Sequence, residues 1–270
     1  MTTPFQKKIL RPYGKWSDIL PLAWGIAFLL VPAGRLLGQL LLRIPQVSSA
    51  LPASLSEYIG VWILCLAVIL LYPPDRPMRR AISYNRRGNT LRMGLAGLLT
   101  GLGLSSLCIL FAVLTGSSDL TFHPMDLLPL AAALLGIFLR AGAEELVVRC
   151  FLYQKLRRRY RHPAAAILGS AVFSCLLHRL LFDASFAGML QVLTAGLLFA
   201  LIVYYYGSFW AVCGIHTGWD FSQDILFGAE SGLAGAIVLA ILCVLVIVRG
   251  RRRNGREDLW TEASRAYETV

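Results

Sequence analysis

Apolar runs and short polar breaks alternate along this chain at the spacing of a membrane. Eight stretches are apolar over about 20 residues each, enough to cross ~30 Å of hydrocarbon as helix. They are 18–42, 53–72, 93–115, 126–153, 163–182, 187–206, 209–228 and 231–249. The pattern predicts an all-α, polytopic transmembrane helical bundle of about eight helices. Residues 1–92 hold two spans and a long basic loop, PPDRPMRRAISYNRRGNTLR, whose Pro-Pro start and polar content exclude a span. Residues 93–249 hold six spans joined by short loops, and 250–270 form a charged tail. Pro21 and Pro32 predict a bent first helix, with Arg35 snorkelling or paired. No internal repeat is visible, and no glycine-rich turn follows a strand as a phosphate cradle would require.

Composition agrees: 57% of residues are hydrophobic and 15% charged. A net charge of +11 raises the question of nucleic acid. Most of the 26 Lys and Arg, however, gather in four clusters, Lys7–Lys15, Arg76–Arg92, Lys155–Arg161 and Arg249–Arg256. With eight spans all four fall on one side, while the opposite loops at 116–125 and 229–230 carry none. That is the positive-inside pattern, so both termini are expected in the cytosol. The charge sets topology and can touch anionic lipid; no nucleic-acid partner is expected. No apolar stretch ending in a small-residue cleavage site opens the chain, so no removable signal peptide is expected. The six cysteines, Cys65, Cys108, Cys150, Cys175, Cys213 and Cys243, all lie in spans without close pairing, and read as small apolar packing residues.

Against this background the ionisable residues inside spans stand out, because a charge at membrane depth needs a partner or a function. Glu144, Glu145 and Arg149 lie in AGAEELVVRCF, His178 in SAVFSCLLHRL, and His216 with Asp220 in GSFWAVCGIHTGWDF. Glu145 and Arg149 stand four apart and can pair on one helix face, and Arg140 stands in the same relation to Glu144. Glu144 is turned ~100° from Glu145, so one carboxylate can be held while the other points elsewhere. His216 and Asp220 share a face that Asp224 continues. At ~1.5 Å per residue, Glu144, His178, His216 and Asp220 lie roughly 18, 22, 12 and 18 Å from the cytosolic side, near enough in depth to converge. Such a set can activate water. A carboxylate takes its proton, one imidazole shares or delivers it, and a second imidazole with Asp220 stabilises the oxygen that becomes negative. Two histidines and a glutamate (Glu144, His178, His216) would equally make a three-ligand zinc site, although H-E-x-x-H is absent. A bare His–Asp pair in a span also suits a proton relay.

Taken in order, Glu144-Glu145-x-x-x-Arg149, a helix with Phe173 and His178, and Gly207-Ser208-Phe209-Trp210 before His216-x-x-x-Asp220 resemble the CPBP intramembrane endopeptidases. This is the CAAX prenyl protease and bacteriocin-processing (Abi) family, which includes the type II CAAX endopeptidase. The resemblance covers roughly residues 93–230. It implies that Glu144 and His178 activate water, that Glu145 and Arg149 support them, and that His216 and Asp220 line the oxyanion site. In two places the chain departs from the pattern. The family's Phe stands four residues before the histidine, where this chain has Ser174, with Phe173 one further back. Asn is common where this chain has Asp220, and an ionised Asp would repel an oxyanion unless it orients His216, is protonated or helps hold a metal.

The expectation is therefore an intramembrane endopeptidase acting on a membrane-embedded or lipidated protein or peptide, in a bacterial plasma membrane. A metal-free glutamate mechanism is favoured and zinc kept as the alternative cofactor. The competing reading is a non-catalytic protein on the same scaffold, serving bacteriocin immunity or partner regulation. An ion-coupled transporter would need repeats and interrupted spans in both halves, which the sequence lacks.

Overall fold

A computed structural model describes residues 16–50, 52–71, 76–84, 89–116, 118–119, 126–160, 162–181, 185–228 and 231–253. The basic cluster Lys7–Lys15 and most of the tail at 250–270 lie outside these. The described residues form helices: α1 (Leu20–Leu41), α2 (Ala53–Leu71), α3 (Leu91–Leu114), α4 (Leu127–Arg159), α5 (Pro163–Leu181), α6 (Phe186–Tyr206), α7 (residues 209–227) and α8 (Gly232–Arg253). Seven of them are long and apolar enough to cross a membrane. The protein is thus an integral, multi-pass helical bundle.

The stretch expected as a seventh span differs. In α7 the α-helix covers only Phe209–Phe221 and continues as a π-helix over Ser222–Phe227. Ten residues of the α-helical part, from Phe209 to Phe221, are buried. It is an interior helix, packed chiefly on α3 and sheathed by its neighbours rather than by lipid. Its glycines and polar residues suit that place: they let backbones approach and would gain nothing in hydrocarbon. A Cβ on Gly101 of α3 would lie 2.1 Å from the Ile215 carbonyl oxygen of α7, so only hydrogen fits there. Outward faces stay apolar, as on α3, where Leu99, Leu107 and Phe111 are each at least 60% exposed.

The break in α4 has the same character. Its first part, Leu127–Glu145, is α-helical, Leu146–Leu152 is π-helical, and Tyr153–Arg159 is α-helical again. All seven π-helical residues are buried. The first π segment carries Arg149 of one candidate motif and the second begins just after Asp220 of the other, where such wider turns commonly mark functional sites.

The first two helices share one apolar core with α4, α5, α6 and α7. Trp62 Nε1 of α2 donates to the Leu139 carbonyl at 2.9 Å, and Trp24 Nε1 of α1 donates to Gly169 O at 3.1 Å. Arg35 is paired, its Nε 2.7 Å from Glu57 Oε2. The basic loop contains a short helix, Arg76–Ile82.

One charge cluster is drawn inward. Lys155, Arg157 and Arg158, part of the cluster Lys155–Arg161 read from the sequence as setting topology, are buried. Asp18, itself fully buried, accepts from Lys155 Nζ at 3.0 Å and from Arg158 Nε and Nη2 at 2.8 Å each, and the Arg157 guanidinium lies 5.4 Å from the centre of the Tyr204 ring. A paired acid inside the bundle draws these cations inward, because each would leave the other uncompensated. All six cysteines are free, and Cys65, Cys108, Cys150 and Cys213 are buried among apolar neighbours.

Candidate active site

Three helices bring the ionisable residues together: α4 carries Glu144, Glu145 and Arg149, α5 carries His178, and α7 carries His216 and Asp220. They line one cavity of about 70 Å³, which has room for several waters.

Glu145 is the most deeply held. Its Oε1 accepts from His216 Nδ1 at 2.9 Å and its Oε2 lies 3.2 Å from Arg149 Nε. Arg149 is buried, donates from Nη2 to the Gly196 carbonyl at 3.2 Å, and sits against the Phe199 ring. Arg149 Nε, Arg149 Nη1 and Glu145 Oε2 make no aligned hydrogen bond among the described residues, so this pair is held by charge more than by directed bonds. The i,i+4 spacing read from the sequence is realised across the start of the π segment.

Glu144, turned away from that pair, faces the cavity. Its Oε2 lies 3.7 Å from His178 Nε2 and 4.0 Å from His216 Nε2, beyond direct hydrogen bonding. Both imidazoles are oriented from behind. His178 Nδ1 lies 3.0 Å from the Ser174 carbonyl; a carbonyl only accepts, so this nitrogen carries the hydrogen. His216 Nδ1 donates to Glu145, and the Phe199 ring packs 5.4 Å from its centre. Each histidine therefore turns Nε2 toward Glu144. A water ~2.8 Å from all three would sit at the apex of this arrangement.

Asp220 Oδ2 lies 3.4 Å from His216 Nε2 and 2.9 Å from Arg140 Nη2. Arg140 also reaches Asp224 Oδ2 at 2.6 Å. The sequence spacing had offered Arg140 to Glu144, and the structure gives it to α7 instead. Two carboxylates one turn apart on α7 hold a guanidinium better than a single one on its own helix. Phe173, the family-type aromatic, is buried against Trp24 with ring centres 6.1 Å apart, while Ser174 lines the cavity. The sequence did not flag Gln191, Gly196, Phe199 and Trp219, which also line it. They carry no intramembrane charge that would have singled them out.

The donor set Glu144, His178 and His216 is chemically apt for zinc. Tetrahedral bonds of ~2.0–2.2 Å would put donor atoms roughly 3.4 Å apart. The observed 3.7 and 4.0 Å are wider, and no group of three such residues among the described ones is placed to hold a metal ion. As positioned, these residues do not fit a zinc shell.

Residues 126–222 match the family described as "Type II CAAX prenyl endopeptidase Rce1-like". The match falls on α4 to α7, covers Glu144, Glu145, Arg149, His178, His216 and Asp220, and bears out the resemblance to the CAAX protease family. It implies a protease of the membrane, with membrane-associated substrates. No curated protein and no solved structure matches the chain.

Proposed function

We propose that this protein is an intramembrane endopeptidase that hydrolyses a peptide bond in a membrane-embedded or lipidated protein or peptide, using Glu144 and His178 to activate water without a metal. One observation carries the reading: a carboxylate with no guanidinium partner among the described residues faces the Nε2 atoms of two imidazoles, each anchored through Nδ1, across a gap that water can occupy.

The chemistry follows from the atoms. Water donates to Glu144 and to His178 Nε2, leaving a lone pair for the substrate carbonyl carbon. As the new C–O bond forms, Glu144 takes the proton and the carbonyl oxygen becomes negative. His216, between the carboxylates of Glu145 and Asp220, carries hydrogen on both nitrogens and turns a positive edge toward that oxygen. The C–N bond then breaks, and the proton on Glu144 passes to the leaving nitrogen, directly or through His178. With α7 crossing as an eighth pass inside the bundle, the basic clusters fall on one set of loops and both termini face the cytosol. The setting proposed is a bacterial plasma membrane.

The test compares membrane proteomes of cells carrying the intact protein and Glu144→Gln, followed by cleavage of the accumulated precursor by each purified protein in liposomes. Glu144→Gln and His178→Ala are expected to lower cleavage by at least ~10³-fold while folding normally. Unchanged cleavage by either folded variant would refute the reading. A partner-dependent phenotype that survives in Glu144→Gln would favour the non-catalytic scaffold.

A further inference from the structure

Asp220 poses a problem that the hydrolytic reading alone leaves unsolved. A carboxylate 3.4 Å from His216 Nε2, on the cavity where an oxyanion forms, would oppose the negative charge that the site must stabilise. Arg140 lies outside the recognised motifs and meets this carboxylate directly, with Nη2 2.9 Å from Asp220 Oδ2. Its second contact, at 2.6 Å, is to Asp224 Oδ2, also on α7. Arg140 is thereby diverted from Glu144, one turn along its own helix, which keeps its nearest charged contacts to the two histidines.

We infer that Arg140 is a positioning residue for hydrolysis: by pairing with Asp220 it cancels the charge of that carboxylate beside the reacting carbonyl, so that Asp220 can hold His216 without repelling the oxyanion. This rests on the proposed protease activity and adds a specific device to it. Asp220 is tolerated in this chain because Arg140 comes with it. Asp224 is the outer contact of the guanidinium, away from the cavity lining, and its side chain is 44% exposed, against 20% for Asp220.

Four full-length variants in liposomes test this, with a farnesylated CAAX-type peptide as the cleavage probe. Arg140→Met is expected to lower kcat by about 100-fold with little change in KM, because the uncompensated charge acts on the transition state. Asp220→Asn is expected to cleave, slower by less than about tenfold, since the neutral amide needs no cation. Arg140→Met/Asp220→Asn should match Asp220→Asn within about threefold, so that losing Arg140 costs nothing once the carboxylate is gone. Asp224→Asn should stay within about threefold of the intact protein, because Arg140 keeps Asp220. Melting of the same variants in detergent reads the pairing without any substrate: Arg140→Met should lower Tm and the double variant recover it. An inactive Asp220→Asn, a double variant as slow as Arg140→Met, an Asp224→Asn as slow as Arg140→Met, or a Tm cycle without coupling each overturns the proposal. Failure of the intact protein to exceed Glu144→Gln on the peptide would instead strike the protease reading, while the Tm cycle still decides whether Arg140 and Asp220 are coupled.

Discussion

Replacing Gly101 by Ala tests whether the seat of α7 on α3 sets the geometry of the site. A methyl at Gly101 would stand 2.1 Å from Ile215 O, 2.9 Å from Ile215 C and 3.0 Å from Ile215 Cα, all backbone atoms that cannot rotate away. Carbon-to-oxygen contacts between packed helices run at ~3.3 Å or more, so the two helices must part by about 1 Å. Ile215 directly precedes His216, and the movement passes to a side chain whose position is fixed by a 2.9 Å bond to Glu145. Misplacement of a catalytic group by ~1 Å costs on the order of 100-fold in rate, and overpacking of this kind destabilises by about 1–3 kcal/mol. The expected outcome is a folded protein, monodisperse in detergent and slightly less stable, whose cleavage of the accumulated precursor is about 100-fold slower. Gly103, on the same helix, has open space around its missing Cβ, and Gly103→Ala should cleave at the normal rate. If Gly101→Ala is folded and cleaves within about threefold of the intact protein, α7 can shift without disturbing His216 and the reasoning is wrong.

Three further outcomes are expected. Arg149→Met leaves Glu145 charged beside His216 in a buried site, and should lower stability in detergent by about 3–5 kcal/mol; the drop in Tm checks it, and the pair Arg149→Met/Glu145→Gln should recover part of the loss. Asp18→Asn strands Lys155 and Arg158 inside the bundle, so a loss of similar size is expected, with earlier proteolysis near the start of α1 but an intact kcat at low temperature, because the cluster lies outside the cavity. Chelation by EDTA or phenanthroline should leave cleavage unchanged; activity lost to the chelator and restored by zinc would reject the metal-free mechanism.

The spans were legible because about twenty apolar residues in a row have few other uses. The ionisable residues of the site were legible for the complementary reason, that charge within such a run is costly. What escaped was set by tertiary contacts. Arg140 obeys the local i,i+4 rule toward Glu144 on paper, yet two carboxylates from a helix 80 residues away outbid it. The run Lys155–Arg159 looks like any cytosolic basic cluster, and one acid 137 residues earlier turns it inward. The π segments have no residue signature, since the wider turn is decided by what the buried face must meet. Interior placement of α7 could have been suspected from Gly214, Gly218 and Thr217, which suit a helix touched by backbones more than one facing lipid.

These misses share a consequence for the chemistry. Asp224, Arg140, Asp220, His216, Glu145 and Arg149 follow one another in contact, carboxylates alternating with guanidinium or imidazole groups along the whole series. Each carboxylate in the series is thus already committed to a guanidinium or an imidazole. Glu144 stands beside this series rather than within it, 4.0 Å from His216 and 3.7 Å from His178, with no guanidinium partner among the described residues. Two adjacent glutamates of identical chemistry are thereby given different work. The one paired with Arg149 fixes the imidazole, and the one left out of the series faces the cavity in which water activation is proposed.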